Sequence, residues 1–291
     1  MGAGSAGDGI ATVIAQLEAR LTQLCAAQDA RRFFHATYLR TTRAVADEVG
    51  RQGFADSGWL ERLDVAFADL YVQALAADLL GEPVPFPWRV AFDTARDRPD
   101  LSPVHHVLLG MNAHINYDLP QALLAVITPA EFDDRAVLAS RAADHRRIDQ
   151  ILMARVAAED TEISAESRTT ASRTTASGTT ASGTTASGTT ASGTTASGTT
   201  VVDRLLRPAN RAATRRFLTE ARAKVWSNTA ILDSARRAGP DRYARVLAEL
   251  ERLCADRLGD LTGPGPVLLR LARRGFGVVL PAAVVHPQSG R

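Results

Sequence analysis

The chain has 291 residues, of which 45% are hydrophobic and 23% charged, enough to bury a sizeable core as one large or two small domains. Its 34 basic and 32 acidic residues leave a net charge of +2, too small to single out a polyanionic partner, so nucleic acid is not expected. Cys25 and Cys254 stand alone, without the paired spacing of a structural zinc site, and read as free thiols in a reducing compartment.

In chain order, the opening MGAGSAGDG has neither a basic nor an apolar leader region. No stretch approaches the roughly 18 apolar residues of a membrane span, and a cytoplasmic protein is expected. Gly2, Gly4 and Gly7 match a GxGxxG spacing, but no strand precedes them, as a phosphate-cradling turn requires. Residues 1–8 read as a flexible tail. Apolar residues then recur at helical spacing over about 9–30, 33–50, 59–80, 103–127, 134–158, 202–238 and 240–258, and no run alternates like a strand. The fold class is all-α, a multi-helix bundle. Pro83, Pro85 and Pro87 make a rigid connection into a short helix after Trp88. Ser102 and Pro103 have the chemistry of a helix start.

The helix from Pro103 carries the most informative pattern. On a wheel of about 100° per residue, Val104, Leu108, Met111, Ile115 and Leu119 form one apolar stripe. His114 and Asp118 border it on one side, and His105, Asn112 and Asn116 on the other. Polar groups bracketing a buried face need partners. Pro120, just after Asp118, invites a break.

His145 and Asp149 repeat the HxxxD spacing one helix later, with His145 among Leu138, Ile148 and Leu152. If the two helices fold back through Thr128-Pro129, His114 is level with Asp144 and His145, and Asp118 with Arg141. Bundle-core metal sites are built from such side chains on facing helices. His114, Asp118, Asp144 and His145 are therefore the candidate metal ligands, suited to zinc, iron or manganese, and His114 and Asp118 the candidate catalytic pair. Asn112, Asn116 and Asp64 are candidate supporting residues, and His35 is a weaker candidate for the site. The alternative reading is structural: Asp118 paired with Arg141, His114 a satisfied core histidine, and the two asparagines tying the helix to loops. Asp69, Trp88 and Trp226 read as a solvated carboxylate and two core indoles.

From Arg168 to Thr200 the chain repeats RTTAS and then GTTAS, almost without large apolar side chains, which reads as a disordered insertion spanning 167–200. It would divide a helical core into 9–166 and 201–275, with 276–291 a C-terminal tail. Arg204, Arg207, Arg211, Arg215 and Arg222 share one helix face opposite Leu205, Leu206, Ala209, Ala213 and Phe217, a stripe able to meet an acidic partner. No nucleophile elbow or P-loop is present, and Asp133-Asp134 leads into Arg135, Ala136 and Val137, unlike an Asp-rich magnesium motif.

The segment GMNAHINYDLP, Gly110 to Pro120, resembles the hallmark of the domain of unknown function 5995 family. YLRTTRAVAD from Tyr38, WLERLDVAFADLYVQAL from Trp59, PWRVAFD around Trp88 and ADHRRIDQIL from Ala143 agree with it. The resemblance implies an all-helical fold and singles out the same central residues. It implies no reaction. Two functions remain open: a metal-dependent enzyme acting on a small substrate through the His/Asp site, or a non-catalytic binding protein using the arginine face.

Overall fold

The structure is a computed structural model that describes residues 8–51, 53–148, 150, 220–263 and 273–281. The TTAS repeat, Asp149 and the Arg204, Arg207, Arg211 and Arg215 face lie outside the described residues. The chain divides into a unit of Met1–Ile151 with Phe217–Arg291 and a second unit, Leu152–Arg216, which lies outside them. The first unit is helical, and no strand occurs among the described residues.

Helix α1 (Asp8–Ala26) buries Ile10, Val13, Leu17 and Leu24 at the spacing of one helical face. α2 (Arg32–Gly50) lies against it and buries Phe34, His35, Tyr38, Thr42 and Val45. α3 (Ser57–Leu80) starts at Asp56, whose side chain accepts from the Trp59 N–H, and ends at Gly81, where φ of 74° favours a residue without Cβ. The proline-rich connection leads into α4 (Phe86–Asp97), with Pro87 in the first turn. Pro103 opens α5 (Pro103–Ala113) as expected, although Ser102 contacts His105 Nδ1 at 2.9 Å and makes no side-chain cap to the backbone.

The break invited by Pro120 is a widened turn instead. His114–Asp118 is π-helical, closed by the Leu119 N–H donating to the His114 carbonyl, and the chain runs on as α6 (Leu119–Val126). A proline ring clashes with the carbonyl four residues back, here Asn116, and the wider turn gives it room. Thr128 and Glu131 form a capping box on α7 (Pro129–Asp133). Helix α8 covers 135–148, α9 covers 220–237, and α10 is Pro240–Thr262.

Three core clusters meet on α5, the π-turn and α6. Leu109 and Ala113 join Phe34, Tyr38, Tyr71 and Trp88; Leu119 and Leu123 join Trp59, Leu60 and Val225; Tyr117 and Leu124 join Leu232, Leu250, Val278 and Leu280. The central helix is thus covered on every side, which corrects the one-striped wheel. Leu108, Met111 and Ile115 are only half-buried, whereas Asn112, His114, Asn116 and Asp118 are buried. Among the described residues no helix is long and apolar enough to cross a membrane.

Candidate functional site

The π-turn aims its polar side chains in two directions. His114 and Asp118 face the aromatic cluster of α2, α3 and α4, with His114 Nδ1 2.9 Å from Asp118 Oδ2. The same oxygen accepts from Trp88 Nε1 at 2.9 Å. An indole nitrogen only donates, so Oδ2 is an acceptor, and Nδ1 is assigned as the N–H of a neutral imidazole. Burial holds His114 well below the usual histidine range. Burial also raises Asp118, and the Trp88 hydrogen bond opposes that rise. Burial thus disfavours a charged Asp118–His114 pair, and with the proton on Nδ1 of the neutral ring Nε2 is an acceptor.

Five rings enclose the imidazole. Phe67 stacks on it with centroids 3.5 Å apart and planes 5° from parallel; Tyr38 meets it edge-on at 4.6 Å. Phe34, Tyr71 and Trp88 stand at 5.9, 5.8 and 5.9 Å. Within this cage His114 Nε2 is shut off from solvent without a hydrogen-bond partner, and the Tyr38 hydroxyl and, on α3, Asp64 Oδ2 are likewise buried. Burial, with Glu61 next, pushes Asp64 up to about 7. Burial drives the Tyr38 phenol up as well, helped by the charges of Asp64 and Asp118. Gly110 belongs to the same contact: a Cβ there would lie 2.2 Å from the Phe34 ring.

Asn112 and Asn116 face the other way. Both Nδ2 groups donate to the Phe276 carbonyl, at 3.2 and 3.1 Å, and Asn116 Oδ1 accepts from the Val278 N–H at 3.3 Å. Asn228 on α9 continues the ladder, donating to the Val278 carbonyl at 3.0 Å and accepting from the Leu280 N–H at 2.9 Å. Side-chain amides here replace the neighbouring strand of a sheet. Residues from 276, read from the sequence as a tail, are thus a buried strap as far as Leu280, with Phe276, Val278 and Leu280 inward and Val279 exposed.

The four-residue metal cluster is not assembled. Asp144 accepts from the Ala55 and Asp56 N–H groups at 2.8 and 3.1 Å, holding the entrance to α3. His145 Nδ1 accepts from Trp226 Nε1 at 3.0 Å, and burial, followed by the Arg222 and Arg146 charges, pushes its pKa down to about 3. Arg141 bonds to Asp56 and Glu131 and lies over the Trp59 ring, so it is not the partner of Asp118. The fold-back places α8 against the start of α3 and against α9, beside different rings from those around His114. Among the described residues no three His, Cys, Asp or Glu side chains converge as metal ligands.

Other nominated residues have plainer places. His35 is a satisfied core histidine, its Nε2 2.8 Å from the Leu17 carbonyl and its Nδ1 2.8 Å from the Tyr71 hydroxyl. Asp69 is exposed. His106 was not singled out by the sequence; it is buried beside Phe33, its nitrogens unpartnered, with no carboxylate bonded to it. A groove of about 720 Å³ runs between α1, α2 and the start of α3, lined by Ile10, Ile14, Val49 and Phe54, and contains none of the nominated residues. Sequence reasoning missed Trp88 as a donor, Phe67 and Tyr38 as walls, and Asn228 with the strap. The indole nitrogen had no visible signal, whereas an asparagine at a buried position of α9 was one.

The model of the family of unknown function DUF5995 matches residues 10–192, and the chain belongs to that family. No curated protein and no solved structure matches the chain.

Proposed function

We propose that this DUF5995 chain is an enzyme that moves a proton on a small substrate, with His114 as the acid–base group and Asp118 orienting its ring. The observation that carries the reading is the unpartnered Nε2 of an imidazole whose other nitrogen is fixed by a carboxylate. His35, in the same core, has both ring nitrogens bonded, as a purely structural histidine requires. His114 leaves its second ring nitrogen unbonded. The π-turn adds support, since such turns interrupt α-helices most often at functional positions. The neutral imidazole is the form that can take a proton, and the hydrogen bond between Nδ1 and Asp118 holds the ring in place as it does so.

Both oxygens of Asp144 and the Nδ1 of His145 accept hydrogen bonds elsewhere, so the reading rests on the His114–Asp118 dyad without a metal cluster. Free Cys25 and Cys254 accord with a cytoplasmic setting. The test is to incubate the full chain in D₂O with a panel of small carbonyl compounds and esters, following conversion and deuterium uptake by mass spectrometry. A conversion that falls about 10²- to 10⁴-fold in His114→Asn, with the variant still melting cooperatively, is expected. Equal turnover by the variant, or none by the wild type across the panel, overturns the reading.

A further inference from the structure

Both side-chain hydrogen bonds that reach Asp118 among the described residues end on the same oxygen, Oδ2, each at 2.9 Å. One comes from His114 in the same turn, the other from Trp88 on α4. The Trp88 bond is thus the one that ties the dyad to another element.

The indole is held so that it cannot swing away. Trp88 is 0% exposed, follows the proline in the first turn of α4, and packs against Tyr71 at 5.0 Å, Phe92 at 5.1 Å and Phe34 at 5.7 Å. Close packing of this kind keeps Nε1 aimed at one point. Packing alone asks nothing of that nitrogen. Trp59 is as fully buried, yet its Nε1 has no hydrogen-bond partner, so an indole serves this core without one.

Two arrangements of the buried pair differ by one proton. In the first, Asp118 is a carboxylate, the ring N–H stands on Nδ1 and Nε2 accepts. In the second, Oδ2 has taken a proton from solvent and donates it to Nδ1, so the ring's own N–H must stand on Nε2, which then only donates. Burial favours the second, because it carries no charge. An N–H donated to Oδ2 favours the first, because it bonds a carboxylate more strongly than a neutral acid.

We propose that Trp88 is a positioning residue for the dyad: its Nε1–H, fixed on Oδ2 from α4, keeps that oxygen unprotonated and so holds His114 in the tautomer whose Nε2 accepts. The inference rests on the acid–base reading of His114, to which it adds a side chain that acts only through Asp118. Phe34, Tyr71 and Phe92 then serve the dyad indirectly, by clamping the indole.

The experiment removes the N–H and leaves a ring. Trp88→Phe does this with a natural residue, and the sulfur isostere 3-benzothienylalanine, placed at the same position by codon reassignment, keeps the size and shape of the indole if the smaller ring unfolds the chain. The readout is ¹⁵N-histidine spectra of the full chain at pH 7, with His114 assigned by the signal lost in His114→Asn. A protonated ring nitrogen is told from a bare one by its shift and its one-bond coupling to hydrogen. Wild type should show Nδ1 protonated and Nε2 bare, and the isostere the reverse, with melting nearly unchanged. An isostere whose tautomer matches wild type overturns the inference and leaves the acid–base reading standing. Wild type with its proton already on Nε2 overturns both.

Discussion

Replacing Asn116 by leucine tests whether the strap is held by amide chemistry. The substitution keeps the side-chain length but removes one acceptor and one donor. The Val278 N–H, on a residue only 5% exposed, loses its only acceptor in the ladder, and an unpaired buried donor costs about 1–3 kcal/mol. The Phe276 carbonyl keeps the Asn112 donor, so the second loss is a net hydrogen bond of about 0.5–1.5 kcal/mol. The sum is about 1.5–4.5 kcal/mol, a fall in melting temperature of several degrees, on the order of 10 °C, for a chain of this size. Asn112→Leu is the control. Its Oδ1 is already buried without a partner, so removing it relieves one cost while the lost donation adds another, and the balance is near zero. Urea unfolding at pH 7 gives the energies, and amide exchange at Val278 shows where they act. Equal losses in the two variants, or unchanged protection at Val278, would refute the ladder as the source of the strap's stability.

The remaining predictions concern packing and pH. Gly110→Ala should cost about 1–3 kcal/mol in urea unfolding, because its Cβ would meet a Phe34 ring held by Tyr71, Trp88 and His114; no measurable loss would mean that the ring yields. His145 has a folded pKa of about 3 against an unfolded value of 6.5, so below pH 6.5 the unfolded chain binds a proton that the folded one refuses. Its contribution to stability is thus lost as pH falls from 6.5 towards 3, by about 1.4 kcal/mol per pH unit. Asp64, raised to about 7, works in the opposite sense, losing stability as pH rises from 3.8 through 7, so the His145 part is isolated by mutation. His145→Gln keeps an acceptor for Trp226 and should leave stability at pH 7 nearly unchanged while flattening the fall between pH 6 and 4. An identical pH profile in the variant would show that His145 titrates normally.

The helices were legible because apolar spacing and proline or glycine boundaries are local signals: Pro103, Gly81 and the capping Thr128 stand at element ends. The pairing of His114 with Asp118 was legible for the same reason, being an i,i+4 relation within one segment. What the sequence hid is who stands opposite. The register argument counted residues along a hairpin of straight helices, but α7 intervenes and α8 docks through Arg141 and Asp144 on the entrance to α3. Levelness along an axis does not fix the direction in which side chains turn. The wheel failed for a related reason. It assumed that polar residues border one buried face, whereas this helix packs on several sides and its asparagine amides bond to a strap more than 150 residues later in the chain. Such a partner leaves no trace in the local pattern.

The widened turn connects these observations. Pro120 cannot donate to the helix ladder, and His114–Asp118, ending two residues before it, take the π conformation that lets the ladder close through Leu119. Within that turn His114 and Asp118 face the aromatic core, while Asn116 between them faces the strap. The strap therefore holds the segment that orients the dyad, with no contact to either catalytic candidate needed. Anchoring one side of a turn restricts the torsions available to the other, because two of its five residues, Asn116 and Asp118, are tied to partners on different elements. Val278 bonds to Asn116, which shares its backbone turn with His114. The asparagines that looked anomalous on a greasy helix are then part of how the histidine is held, and the same 11-residue segment, Gly110 to Pro120, carries the close packing, the dyad, the strap anchor and the turn that separates them.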